Sequence, residues 1–90
     1  MEDNLYEKVI YESNYFKISE LYYKNRKTPV LTIYSKEGYN LGEIRWYGAW
    51  RKFCFYPNED TIWDNKCLEE IVSFLNKYNK DWRNKSEGKV

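Results

Sequence analysis

The sequence predicts a small α+β domain: an antiparallel β-meander of four strands, with a fifth in prospect at the N-terminus, packed on one C-terminal amphipathic helix. Three observations carry this. Residues 15–56 alternate apolar and polar side chains with a period of two, interrupted by short turn signals. After Pro57 the period changes to 3.6. Ninety residues bury enough surface for one core, so residues 1–90 form a single domain.

Leu5–Glu12 alternates weakly and reads as an edge strand or arm within residues 1–12. Tyr15–Lys24 alternates clearly, with Phe16, Ile18 and Tyr22 on one side and Tyr15, Lys17, Ser19 and Tyr23 on the other. Asn25–Pro29 supplies a turn, and Val30–Ser35 follows with Leu31 and Ile33 opposite Val30, Thr32 and Tyr34. Lys36–Asn40 is a hairpin loop whose Gly38 tolerates a positive φ. Leu41–Tyr47 and Trp50–Tyr56 are the last two strands, joined by Gly48-Ala49 and closed by Pro57.

Asn58–Thr61 forms a loop, and Thr61 followed by Asp64 loosely mimics a capping box. Cys67, Leu68, Ile71, Val72, Phe74, Leu75 and Tyr78 then fall on one helical stripe, predicting a helix over Asp64–Tyr78. Residues 83–90 lack a buried pattern and read as a flexible tail.

Matching the apolar sides of the strands places Phe16, Ile18, Leu31, Ile33, Ile44, Trp46, Phe53 and Phe55 beneath the helix. The opposite face then shows Tyr15, Lys17, Tyr23, Tyr34, Arg45, Tyr47, Trp50, Lys52 and Tyr56, rings interleaved with cations. One face of an antiparallel sheet is often simply wet, and β-propensity alone favours Tyr. Tyr, Trp and Arg are also the side chains that anchor interfaces. Arg51 breaks the pattern: it either pairs at the rim with Asp60 or Asp64, or joins Arg45 and Lys52 across a bulge. The candidate partner-binding residues are therefore Tyr23, Tyr34, Arg45, Tyr47, Trp50, Arg51, Lys52 and Tyr56.

Net charge is +1, but it is unevenly distributed. Residues 13–56 carry eight bases against three acids, and residues 57–76 five acids against one base. The sheet region is thus locally basic.

The chain contains no His, which removes the commonest general base and most transition-metal sites, so the composition points away from an enzyme. Cys67 falls on the apolar stripe, Cys54 has no base beside it, and two cysteines make neither a disulfide framework nor a zinc site. Glu43, Glu59, Asp60 and Asp64 are the acids a Mg²⁺ would have to gather, but they read better as a strand charge and helix N-terminal acids. No glycine-rich phosphate loop is present and no cofactor is implied. No stretch reaches membrane-spanning length and no basic, apolar leader opens the chain, which predicts a protein of the cytoplasm.

The run Leu41–Pro57, with Trp46, Trp50-Arg51, Phe53, Phe55 and Pro57 as its most particular residues, resembles a family of small uncharacterised proteins of tailed bacteriophages and prophages. Thr61-Ile62-Trp63 and Cys67–Leu75 continue the likeness. The resemblance implies a phage or prophage origin and carries no assigned activity or catalytic residue. By analogy of lifestyle it suggests a non-enzymatic accessory protein that binds a host or phage protein, such as an inhibitor of a bacterial defence system of the anti-CRISPR kind. One rival follows from the open face, stacking of single-stranded DNA or RNA on Tyr34, Tyr47, Trp50 and Tyr56; another, sequestration of a nucleotide signal, needs a closed pocket such as a dimer interface provides. A homodimer across the same face is a further expectation.

Overall fold

A computed structural model of the chain describes residues 4–87, with side-chain surroundings for residues 6–85. Five strands, β1 (Asn4–Glu12), β2 (Phe16–Tyr23), β3 (Val30–Ser35), β4 (Asn40–Tyr47) and β5 (Lys52–Pro57), precede one helix, α1 (Asn65–Glu87). They form one antiparallel sheet in sequence order, a five-stranded meander with the α+β architecture expected from the alternation. Residues 1–3 of the N-terminal segment lie outside the described residues, but Asn4–Glu12 is a strand, despite its weak pattern. Its register shifts twice, and the second shift leaves Ile10 between Val9↔Ser19 and Tyr11↔Ile18, which blurs a period-two reading.

Local chemistry sets the turns. Ser13 Oγ accepts the backbone N–H groups of Tyr15 (3.1 Å) and Phe16 (3.4 Å), so β2 starts at Phe16 and Tyr15 belongs to the turn. Gly38, at φ 100°, donates its N–H to Ser35 O and closes the β3–β4 hairpin. In β4, Leu41 is the extra residue between Tyr34↔Asn40 and Ile33↔Gly42. Asn40 Oδ1 accepts both the Gly42 N–H and the Asn58 Nδ2–H, each at 3.1 Å, and fixes this bulge.

The apolar faces match as expected: Ile18↔Ile33, Leu31↔Ile44, Ile44↔Phe55 and Trp46↔Phe53 are directly paired. Phe16, Ile18, Leu31, Ile33, Ile44 and Phe53 are buried with Ile71 of α1. Phe53 is the hub, with the rings of Trp46, Tyr78 and Trp82 edge-on to it at 5.3, 5.0 and 5.2 Å. At the other end of the helix, Trp63 meets Phe55 and Phe16 at 5.0 and 6.2 Å.

Three features differ from the expected helix. Its cap is Asp64, whose Oδ1 accepts the Cys67 N–H at 2.9 Å; Thr61 is turned to Asn58 O and the Trp63 indole. The helix continues past Tyr78 through Glu87, since Trp82 packs on Phe53 and gives the later turns an anchor. Residues 83–87 are therefore helical rather than tail, while residues 88–90 of that segment lie outside the described residues.

The third is polar. Glu20 occupies the helix-facing side of β2 at 8% exposure and accepts a 2.5 Å hydrogen bond from Tyr78 Oη. Tyr11 Oη donates likewise to Glu70 at 3.1 Å, so two Tyr–Glu bonds tie sheet to helix. Asn79 adds a third tie: its Oδ1 accepts the Phe53 N–H (2.8 Å) and its Nδ2 donates to Phe53 O (3.1 Å), which occupies the outer edge of β5 there.

Candidate partner-binding surface

Antiparallel order brings three chain segments to the same end of the sheet: the β2–β3 turn (residues 24–29), the β4–β5 hairpin (residues 48–51) and, through the Trp82–Phe53 contact, the C-terminal turns of α1. The first carries Lys24, Arg26 and Lys27, the second Arg51 with Lys52 beside it, and the third Lys80, Arg83 and Lys85. Glu59, Asp60 and Asp64 belong to the β5–α1 connection at the opposite end. The charge blocks of the sequence are thus separated in space, and the described side chains make one end of the molecule cationic.

The hairpin differs from the expected two-residue connection. Arg51 donates its N–H to Tyr47 O at 2.9 Å and sits at φ 56°, so residues 48–51 form a four-residue loop and β5 starts at Lys52. Trp50 and Arg51 therefore belong to the loop and to neither sheet face. Arg51 is also far from Asp60 and Asp64, which lie at the other end, so the rim ion pair considered for it does not form. The loop leaves Trp50 66% exposed, with the Tyr47 ring edge-on at 5.0 Å.

Behind the hairpin, on the face away from the helix, the Arg45 guanidinium lies 3.9 Å from the Tyr56 ring centroid. Its Nε is 3.2 Å from Glu43 Oε1, close enough for an ion pair but off the hydrogen-bond axis, and it has no hydrogen-bond partner. Across Val30 from Arg45 stand Tyr23, Asn25 and Arg26, and the five residues with Glu43 line an open depression of about 360 Å³.

Of the eight residues expected to bind a partner, the structure groups seven: Tyr47, Trp50, Arg51 and Lys52 at the hairpin, Arg45 and Tyr56 stacked behind it, and Tyr23 across the depression. Tyr34 is set apart, paired with Lys17 and Asn40 toward the opposite end. The sequence reading missed Asn25 and Arg26, treated as turn residues only, and the cations of the later helical turns. The run Lys24-Asn25-Arg26-Lys27 was the available signal, but only the meander order aligns it with the β4–β5 hairpin.

The other candidate groups have structural duties. Burial pushes the Cys67 thiol pKa up, as does its hydrogen bond with Asp64, and Cys54 is free and half-buried. Backbone hydrogen bonding from Cys67 holds Asp64 below the usual carboxylate range, as suits a cap. Among the described residues, no three of His, Cys, Asp and Glu come together as a metal site. No helix among the described residues is long and apolar enough to cross a membrane.

The chain is similar to an uncharacterized 9.3 kDa protein of Acholeplasma phage L2, with 29% identity over 65 residues that cover 71% of this chain and 83% of the phage protein. This likeness points to a family of small phage-associated proteins. No family model matches the chain, and no solved structure matches it.

Proposed function

We propose that the protein is a non-enzymatic phage accessory protein that binds a host or phage protein through the cationic, Trp50-bearing end of its sheet. In an infecting phage such binding would serve to inhibit a host defence complex. The observation that carries the reading is Trp50, two-thirds exposed on a hairpin loop braced by Tyr47 and flanked by Arg51 and Lys52. An exposed Trp on a hydrogen-bonded turn, next to Arg51, has the chemistry of an interface hot spot.

The cations at the same end favour a second reading, a single-stranded nucleic acid. Against it, Arg45 covers one face of Tyr56, Tyr34 lies at the far end, and Tyr47 and Trp50 meet edge-on. Those rings form no continuous stacking platform.

The test is a pull-down from host lysate at moderate salt with wild type and Trp50→Ala side by side. A protein retained by wild type and lost by the variant, with equal thermal midpoints for the two, supports the reading. Identical partner lists refute it. Binding of labelled oligothymidylate that weakens steeply with salt and vanishes in Trp50→Ala would transfer the surface to nucleic acid.

A further inference from the structure

The depression between the β2–β3 turn and β4 has features of a receptor for one anionic group. Its floor is Val30, 8% exposed, and its walls are the Tyr23 ring and the side chains of Asn25, Arg26, Glu43 and Arg45. Two guanidiniums contribute N–H donors in planar forks, the buried Nε of Arg45 aside, and Asn25 adds an amide.

Arg45 is oriented without being used up. The Tyr56 ring fixes its plane, and Glu43 approaches Nε from a direction that makes no hydrogen bond. A ligand therefore meets a guanidinium whose side-chain freedom is already reduced, and less entropy is lost on binding. Arg26 has no ion-pair partner among the described residues, and Lys24 and Lys27 flank it on the same turn.

We propose that this depression seats a carboxylate side chain of an acidic segment in the protein partner, a reading that rests on the protein-binding function above. Three features select a carboxylate. The apolar floor and the Tyr23 ring suit the methylenes of a Glu stem. The fork of an arginine matches two carboxylate oxygens. Glu43, in the wall, repels a dianionic phosphate more than a single negative charge.

The experiment is a two-dimensional amide NMR titration of ¹⁵N-labelled protein, including arginine Nε, with a capped peptide of alternating Glu and Ala. The expected result is saturable shifts at Asn25, Arg26, Val30 and Arg45. Arg26→Gln and Arg45→Gln each weaken binding roughly tenfold, while Lys66→Gln, in the first turn of α1 at the opposite end, leaves it within about twofold. Unchanged dispersion elsewhere in the spectrum shows that the variants fold.

Parallel arms use inorganic phosphate and oligothymidylate. Tighter saturation of the same resonances by either would overturn the carboxylate assignment, as would peptide binding indifferent to Arg26→Gln or no saturable shift at all. In the lysate assay, a partner lost by Trp50→Ala but kept by Arg26→Gln would reject the depression and leave the protein-binding function standing. Identical lists for wild type and Trp50→Ala would reject that function itself.

Discussion

Removing the Tyr78 hydroxyl isolates the bond that fastens the middle of the helix to the sheet. In Tyr78→Phe the ring keeps its contacts with Phe53 and Phe74, at 5.0 and 5.6 Å, and only the 2.5 Å hydrogen bond to Glu20 is lost. Glu20 is 8% exposed, so water does not readily replace the donor. A hydrogen bond to a charged group contributes about 1.5–3 kcal/mol, and a buried acceptor left with only the neighbouring Tyr22 hydroxyl accounts for that range. Against a stability of about 5–15 kcal/mol for small domains, the loss is easily measured by urea unfolding followed through Trp fluorescence. With an m value near 1 kcal/mol/M, a loss of about 2 kcal/mol lowers the midpoint by roughly 2 M.

The alkaline limb gives an independent readout. Burial, followed by the hydrogen bond to Glu20, holds the Tyr78 hydroxyl pKa well above the ordinary 10.0 of a phenol. The unfolded chain releases this proton first as pH rises through about 10. Stability contributed by the raised pKa is therefore fully present below that pH and declines above it, toward the higher folded value. Wild type should lose stability more steeply than Tyr78→Phe above pH ~10. A drop in unfolding free energy below ~0.5 kcal/mol, with parallel alkaline slopes, would refute the account of Glu20 as a buried acceptor dependent on Tyr78. Replacing both residues, Glu20→Met with Tyr78→Phe, should recover part of the loss because no buried carboxylate short of a donor remains.

Other substitutions probe single features. Gly42→Ala places a Cβ 2.7 Å from Tyr56 O and 3.0 Å from Pro57 Cα, both backbone atoms, and should cost about 2–3 kcal/mol in chemical denaturation. Asn79→Leu removes both hydrogen bonds to the edge of Phe53; it should cost about 1–3 kcal/mol and raise the apparent mass in sedimentation at high concentration. Arg51→Gly relieves a left-handed residue and should stabilise by up to about 1 kcal/mol in thermal melts. If Arg51 also contacts the partner, the same variant gains stability while binding less tightly, which separates the two roles in one protein.

The side of each strand that turns to the helix was legible in the sequence because Leu31 and Ile33, Ile44 and Trp46, and Phe53 and Phe55 recur two residues apart in β3, β4 and β5. Glu20 was not legible. It breaks the apolar face of β2, and its partner Tyr78 lies 58 residues away on another element. Asn79 escaped for a related reason, since a helical Asn next to an apolar stripe does not reveal which strand edge it meets. Trp50 and Arg51 were read as strand because Gly48-Ala49 looked like a complete two-residue connection, although Arg51 broke the alternation; the Arg51 N–H bond to Tyr47 O enlarges the loop to four residues. The candidate surface was half legible: its rings and strand cations follow from alternation, but its turn cations depend on which strand ends coincide.

That coincidence of strand ends gives the molecule a lengthwise electric moment, positive at the hairpin and negative where the chain enters the helix. In the field of an acidic partner, such a moment turns the protein while it is still diffusing, so that Trp50 leads the approach. Added salt should therefore slow association more than it speeds dissociation, leaving the lifetime of a formed complex to the buried ring and its neighbours.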